Sequence, residues 1–260
     1  MYKFEQYSGS FQSIALRRVD GIVEVRLHTD GKPLVWGTVP HREIGECFRA
    51  LAQDPENRVI ILTGTGDHFS GPRATEEPVD DFHMLTPRAW EANHAHGMEL
   101  MDSILSVQAP VIAAINGPAL RHCELALMSD IVIAAEHTEF QDSAHFPIGL
   151  TPGDGINVVT PLIMGLTRSR YFHLTGQIIK AQTAKDWGLV NEVVPAEDLL
   201  DRAWELARTL SVQRTMILRH TRLLFTTELR RRMLDMVGYG LALEGLDVAD
   251  ALEEHTAGQG

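Results

Sequence analysis

Apolar positions change their period several times along the 260-residue chain. "SIALRRV" and "IVEVRLH" alternate apolar and polar residues, the period of half-buried strands. The Asp20-Gly21 pair between them predicts a tight hairpin. "HREIGECFRALAQD" sets Ile44, Cys47, Phe48 and Leu51 at helical spacing. "RVIILTGTG" is a short continuous apolar run ending in glycines, which predicts a buried strand. "PRAWEANHAHGMELMDSILSV" predicts a long helix, and the apolar runs "VIAAI" and "IVIAA" predict two more buried strands. Between those two runs lie a tight turn, "NGPALRH", and a helix, "CELALM". The alternation of strands and helices implies an α/β chain with mostly parallel strands. From about residue 155 the helical period dominates. "PAEDLLDRAWELARTLS" puts Leu199, Ala203, Leu206 and Leu210 on one face, and two further helical stretches fill 212–255. No low-complexity linker interrupts the chain. We therefore expect a core over 1–195 and a helical region over 196–260 that packs on the core or on a partner subunit.

Composition narrows the function classes. The net charge is −12 with histidines neutral, and "LRRRM" at 229–233 is the one basic cluster. An acidic chain is a poor nucleic-acid binder, because neutralising phosphates needs Lys and Arg. Two cysteines, Cys47 and Cys123, give neither a disulfide framework nor a CxxC metal signature. The N-terminal "MYKFEQYSGSF" lacks an apolar signal region, and no apolar run reaches membrane-spanning length. A cytoplasmic, membrane-free protein is the expectation.

The turn at 116–122 is where chemistry enters. A tight strand-to-helix turn that presents free N–H groups is usually built from glycine. This one carries Arg121 and His122 instead. The surrounding motifs, "APVIAAINGPAL", "CELALMSDIVIAAEHTEF", "GLTPGDG", "LTGQIIKAQTAKDWGLVNEVVP" and "DLLDRAWELARTL", resemble the enoyl-CoA hydratase/isomerase (crotonase) superfamily in composition and order. The resemblance runs from about residue 10 to 220. It implies a spiral of strand–strand–helix turns with a C-terminal helical region used for trimer formation, trimers often pairing into hexamers.

The departures from that pattern are more informative than the matches. The family has three glycines where Arg121-His122 stands, and their N–H groups form half of an oxyanion hole for a CoA thioester. The other half lies in a stretch like "FSAGAD"; here it is "FSGPRATEE", with Pro72 in place of glycine and Ala74 in place of aspartate. The CoA-contact stretch like "LNAL" is "LVWGTV". Side chains crowding the turn argue against a backbone hole. The same stretches, with "FQDSAHFPIGLTPGDG" and a glutamate at Glu244, are similar to the branch containing 6-oxocamphor hydrolase and related β-diketone hydrolases. Those enzymes cleave a C–C bond between two carbonyls with water and use no CoA.

Such a reaction needs an activated water, a polarised carbonyl and a stabilised enolate. A histidine is the usual base near neutral pH, and a carboxylate on its other nitrogen fixes the tautomer. His145 and Asp154, separated by a Gly/Pro-rich turn, fit that pairing, with Glu244 orienting the water or holding its proton. His122 and Trp36 offer N–H donors to the diketone oxygens, and His122 at a helix N-terminus is expected to be neutral. No cofactor and no metal are expected; His94 and His96, two apart on a helix, face different ways. The substrate expected is a small apolar cyclic 1,3-diketone, and the protein a homotrimer or a dimer of trimers. Two other readings stay open. Glu124 aligns with a hydratase catalytic glutamate, which favours an atypical acyl-CoA hydratase, isomerase or hydrolase. A crotonase-fold binding protein without activity is the third.

Overall fold

The computed structural model describes residues 2–73 and 86–257, the last three by backbone alone. The expected hairpin is present. Asp20 and Gly21 both hold positive φ, 51° and 79°, as a two-residue turn between twisted strands requires. It joins β1 (Ile14–Val19) to β2 (Ile22–Leu27) in antiparallel register. β3 (Val59–Thr63), β4 (Val111–Ile115) and β5 (Ile131–Ala135) then add in parallel. β6 (Glu139–Phe140) and β7 (Ile179–Lys180) form a separate antiparallel pair, and β8 (Glu192–Val194) returns to complete the main sheet in the order β1-β2-β3-β4-β5-β8.

The continuous apolar runs exist because both faces of this sheet are covered. Ile60, Leu62, Val111 and Ala113 face α2 (Thr38–Gln53) and α3 (Pro87–Ser106), in a core that includes Ile44, Cys47, Phe48 and Leu51. The alternate residues Val59, Ile61, Ile112 and Ala114 face Leu199, Ala203, Trp204 and Ala207 of one amphipathic helix, Leu199–Ser211. Successive side chains of a strand point to opposite faces, so each run needs apolar residues at every position.

A second, narrower ladder explains the spiral. After each core strand the chain makes a short extended contact with the next turn: Val35 with Gly71, Ser70 with Ala119, and Ala119 with Phe140, all parallel. Each turn of the chain is thus strand, short strand, helix. The residues that follow these short contacts are Trp36, Pro72, Arg121-His122 and Gln141–His145, so the spiral brings them to one end of the ladder.

Two helical expectations change. "CELALM" forms only the four-residue α4 (Glu124–Leu127), with Cys123 at its N-cap. α5 (Ile156–Met164), α6 (Leu166–Thr175), α7 (Ala181–Asp186) and α8 (Leu199–Ser211) follow. The two stretches expected over 212–255 are one helix, α9 (Thr215–Ala257), of 43 residues and about 65 Å at 1.5 Å per residue. Its glycines suggest breaks in the sequence but serve close packing. A Cβ at Gly240 would lie 2.2 Å from the carbonyl oxygen of Gly153, and one at Gly153 would lie 2.3 Å from that of Gly240. Backbone meets backbone at this point, which brings the "PGDG" turn against α9. Among the described residues, no helix is long and apolar enough to cross a membrane.

Candidate active site

The glycine-free turn keeps a glycine-like backbone. His122 has φ 51°, a left-handed conformation that disfavours residues with a Cβ. Neighbouring groups hold the turn: Leu120 N donates to Ser70 O at 2.9 Å, and the hydroxyls of Ser70 and Ser143 donate to the carbonyls of Arg121 and Leu120. The imidazole of His122 stacks on Trp36, ring centroids 4.0 Å apart and planes at 27°. His41, buried on α2, meets both rings edge-on at 6.0 and 5.6 Å.

Two carboxylates converge on one nitrogen of His122. Its Nδ1 lies 2.7 Å from Glu124 Oε1 and 3.0 Å from Asp154 Oδ2. Burial opposes charge on this ring, but the two carboxylates outweigh it and raise the pKa to about 10. The expectation of a neutral His122 therefore changes. A four-residue α4 contributes little dipole, whereas two buried acids sit in contact. His41, by contrast, has no carboxylate in contact among the described residues; burial, then the charge of His122, push its pKa down to about 3.

His145 divides its carboxylates between its two nitrogens. Nδ1 bonds Asp142 Oδ1 at 2.6 Å, while Nε2 lies 3.4 Å from Asp154 Oδ2 and 3.6 Å from Glu244 Oε1. The four side chains expected to act together, His122, His145, Asp154 and Glu244, are thus brought together, and Trp36 joins them through His122. The partner that fixes the far nitrogen of His145 is Asp142; Asp154 approaches the near one. Burial works against the charge of His145, and Asp142 and Asp154 overcome it and hold its pKa well above the usual histidine range. Burial raises Asp142 and Asp154, but the imidazoles facing them prevail and keep both carboxyls low. Glu124 and Glu244 are raised to about 7, first by burial and also by the neighbouring Asp154. Near neutral pH, two imidazoliums therefore face two ionised aspartates, with two glutamates poised to gain or lose a proton.

Two carboxylate oxygens, Glu124 Oε2 and Glu244 Oε2, are buried without a hydrogen bond. Buried polar atoms are usually paired, so these are natural positions for a water or ligand. One ligand atom from each of His122, Glu124 and Asp154 also lies within 4.8 Å of the other two, near enough for one divalent cation, which would have to displace a proton of His122 if it bound there. Sequence reasoning did not single out Asp142, His41 or His173. Asp142 carried a signal, standing three residues before His145 in "FQDSAH". His41 and His173 carried none, being far from the site in sequence. Ala74 lies outside the described residues.

Residues 38–237 match the family model of enoyl-CoA hydratase/isomerase, and the chain belongs to that family. Among solved structures, it is similar to a β-diketone hydrolase of Anabaena sp. PCC 7120 bound to (S)-3-oxocyclohexyl acetic acid. That likeness has 40% identity and a TM-score of 0.89 over 95% of this chain and 97% of the other. It is also similar to an enoyl-CoA hydratase/isomerase of Mycobacterium paratuberculosis, 27% identical with a TM-score of 0.82 over 92% and 94%. Among curated proteins, 1,2-epoxyphenylacetyl-CoA isomerase of Escherichia coli (strain K12) is 32% identical over 183 residues, 67% of each chain. Carnitinyl-CoA dehydratase of Salmonella arizonae is 33% identical over 175 residues, 64% of this chain and 62% of that protein. The fold is the crotonase fold.

Proposed function

We propose that the protein hydrolyses a C–C bond of a small apolar cyclic 1,3-diketone, giving a keto acid, without CoA or another cofactor. The observation that carries the reading is the turn at 120–122. A side chain, His122, stands where backbone N–H groups would grip a thioester, and it lies against the indole of Trp36. The 40% likeness to a β-diketone hydrolase over nearly the whole chain supports it.

The residues then divide the reaction. Water sits at the Nε2 edge of His145, between Asp154 and Glu244. We assign the proton-accepting role to Glu244, because its pKa of about 7 matches a base working near neutrality, whereas His145 is already protonated. Hydroxide adds to one carbonyl, and the oxyanion formed accepts the Nε2–H of His145. The C–C bond then breaks and its electron pair passes to the second carbonyl as an enolate. His122, as imidazolium, and the Trp36 indole N–H donate to that oxygen. Glu244 returns its proton to the enolate carbon. One water is consumed, one carboxylic acid is formed, and no electron leaves the substrate.

The same proposal includes a homotrimer or a dimer of trimers in the cytoplasm, with no nucleic-acid or membrane partner. α9 supports the assembly: Leu224 and Phe225 are 79% and 80% exposed, and apolar faces of that size seek cover.

Because the acid product ionises, turnover is read by pH-stat titration across a panel of cyclic 1,3-diketones. One proton released per diketone consumed is the expected result. The names of the curated relatives favour a second reading, chemistry on an acyl-CoA. Micromolar binding of acyl-CoAs by calorimetry, with no acid released from any diketone, would replace the first reading with the second.

A further inference from the structure

The hydrogen bonding of His145 does not end at Asp142. Asp142 is buried, and its second oxygen, Oδ2, lies 3.0 Å from Nδ1 of His173. Both facing ring nitrogens carry the proton, because an ionised carboxylate offers only acceptors. The other nitrogen of His173, Nε2, lies 3.0 Å from Thr160 Oγ1. That hydroxyl is fixed in turn by Ile156 O and Ser169 Oγ, each at 2.8 Å. Both edges of the His173 ring are therefore engaged. The ring is clamped between α5, which carries Thr160, and the loop that carries Asp142.

We propose that His173 is a positioning residue: through Asp142 it holds the Nδ1 hydrogen bond of His145 and so aims the Nε2 edge of His145 at Asp154 and Glu244. A carboxylate with one donor can turn about its Cβ–Cγ bond, and a buried oxygen left without a donor draws a proton instead. With two imidazoles, one on each oxygen, Asp142 is fixed in plane and stays ionised. The site is then a chain of alternating acids and imidazoles, Glu124, His122, Asp154, His145, Asp142 and His173, which ends on the Thr160 hydroxyl. His173 touches no reacting atom. It deepens the proposed hydrolase reading and rests on it for its kinetic consequence, while the hydrogen bond itself is measurable without any substrate.

Three variants test it. In His173→Asn the amide nitrogen takes the place of Nδ1 and keeps the donor to Asp142. In His173→Gln the amide takes the place of Nε2 and loses that donor. His173→Phe removes both polar edges. Proton NMR of the full-length protein reads the strongly downfield resonance of the His145 Nδ1–H against Asp142, assigned by its loss in His145→Gln, which leaves the His173–Asp142 bond in place. The resonance is expected in the parent and in His173→Asn, and should be lost or moved upfield in His173→Gln and His173→Phe. On a cleavable diketone, kcat should fall about 10–100-fold in the Gln and Phe variants with KM unchanged, the weight of one hydrogen bond to a charged group. Asn should restore most of it. If the Gln variant folds and keeps both the resonance and full kcat, His173 is a packing residue and the proposal fails. If no diketone is cleaved by the parent, the hydrolase reading fails while the NMR comparison still decides the role of His173.

Discussion

The two histidines of the site sit 6.5 Å apart, ring to ring, and are held in opposite ways. His122 has both its acids on one nitrogen and an aromatic plate on its face. His145 has one acid at 2.6 Å on its far nitrogen and two more, at 3.4 and 3.6 Å, spread before its near one. The first arrangement concentrates charge on a ring and leaves its other N–H to donate. The second sets Nε2 before Asp154 and Glu244, and the Oε2 of Glu244 is buried without a hydrogen bond, so we read that edge as the place for a water. In the proposed reaction similar residues thus serve as an electrophile on one side and a water site on the other, and the difference lies in which ring atom each carboxylate faces. Asp154 belongs to both halves.

The largest expected effect separates the halves at the water side. Glu244→Gln should lower kcat by about 10²–10⁴-fold, the usual weight of a general base, while the fold and the diketone affinity are kept. Acid release by pH-stat with thermal melting in parallel measures both. Full turnover in this variant would return the base role to His145. On the carbonyl side, His122→Ala should cost about 10²–10³-fold, because a donor aimed at a developing oxyanion is lost. Trp36→Phe keeps the stack and removes one neutral N–H, so about a tenfold loss is expected. If the two substitutions cost equally, the indole N–H carries as much of the effect as the whole imidazole of His122.

The pH profile sharpens the same contrast. Glu244 must be ionised to accept a proton, and His122 donates more strongly as imidazolium than as the neutral ring. The rate should rise as pH passes about 7, hold, and fall as pH passes about 10. Glu244→Gln should remove the lower limb, and His122→Ala the upper. The smallest effect concerns what joins the halves. Gly240→Ala inserts a Cβ 2.2 Å from Gly153 O, which pushes α9, and Glu244 with it, away from Asp154. A loss of about 1–3 kcal/mol, read as a lower melting temperature, is expected from such overpacking.

Much of this was legible in the chain. Buried parallel strands write themselves as continuous apolar runs, and the hairpin announces itself through Asp20-Gly21. His122, His145, Asp154 and Glu244 stood out because each broke or filled a recognisable motif. The charge of His122 was only half legible: Glu124 stands two residues away, but Asp154 approaches through the packing of Gly153 on Gly240. His173 was hidden for the same reason: its partner Asp142 is 31 residues away and meets it only across α5 and α6. The single helix α9 was hidden because glycine reads as a breaker, although here the glycines answer close contacts with Gly153 and Trp90. Local pattern carries elements, whereas electrostatics are set by neighbours that only the fold brings near.

The central claim is that water, not CoA chemistry, opens a C–C bond between two carbonyls. It is tested most directly by incubating the protein with a cyclic 1,3-diketone in ¹⁸O-water and analysing the product by mass spectrometry. The expected product is a keto acid heavier than the diketone by one water, with one ¹⁸O from the attacking water in its carboxyl group. Intact diketone after prolonged incubation, together with hydration or isomerisation of an enoyl-CoA by the same preparation, would contradict the claim.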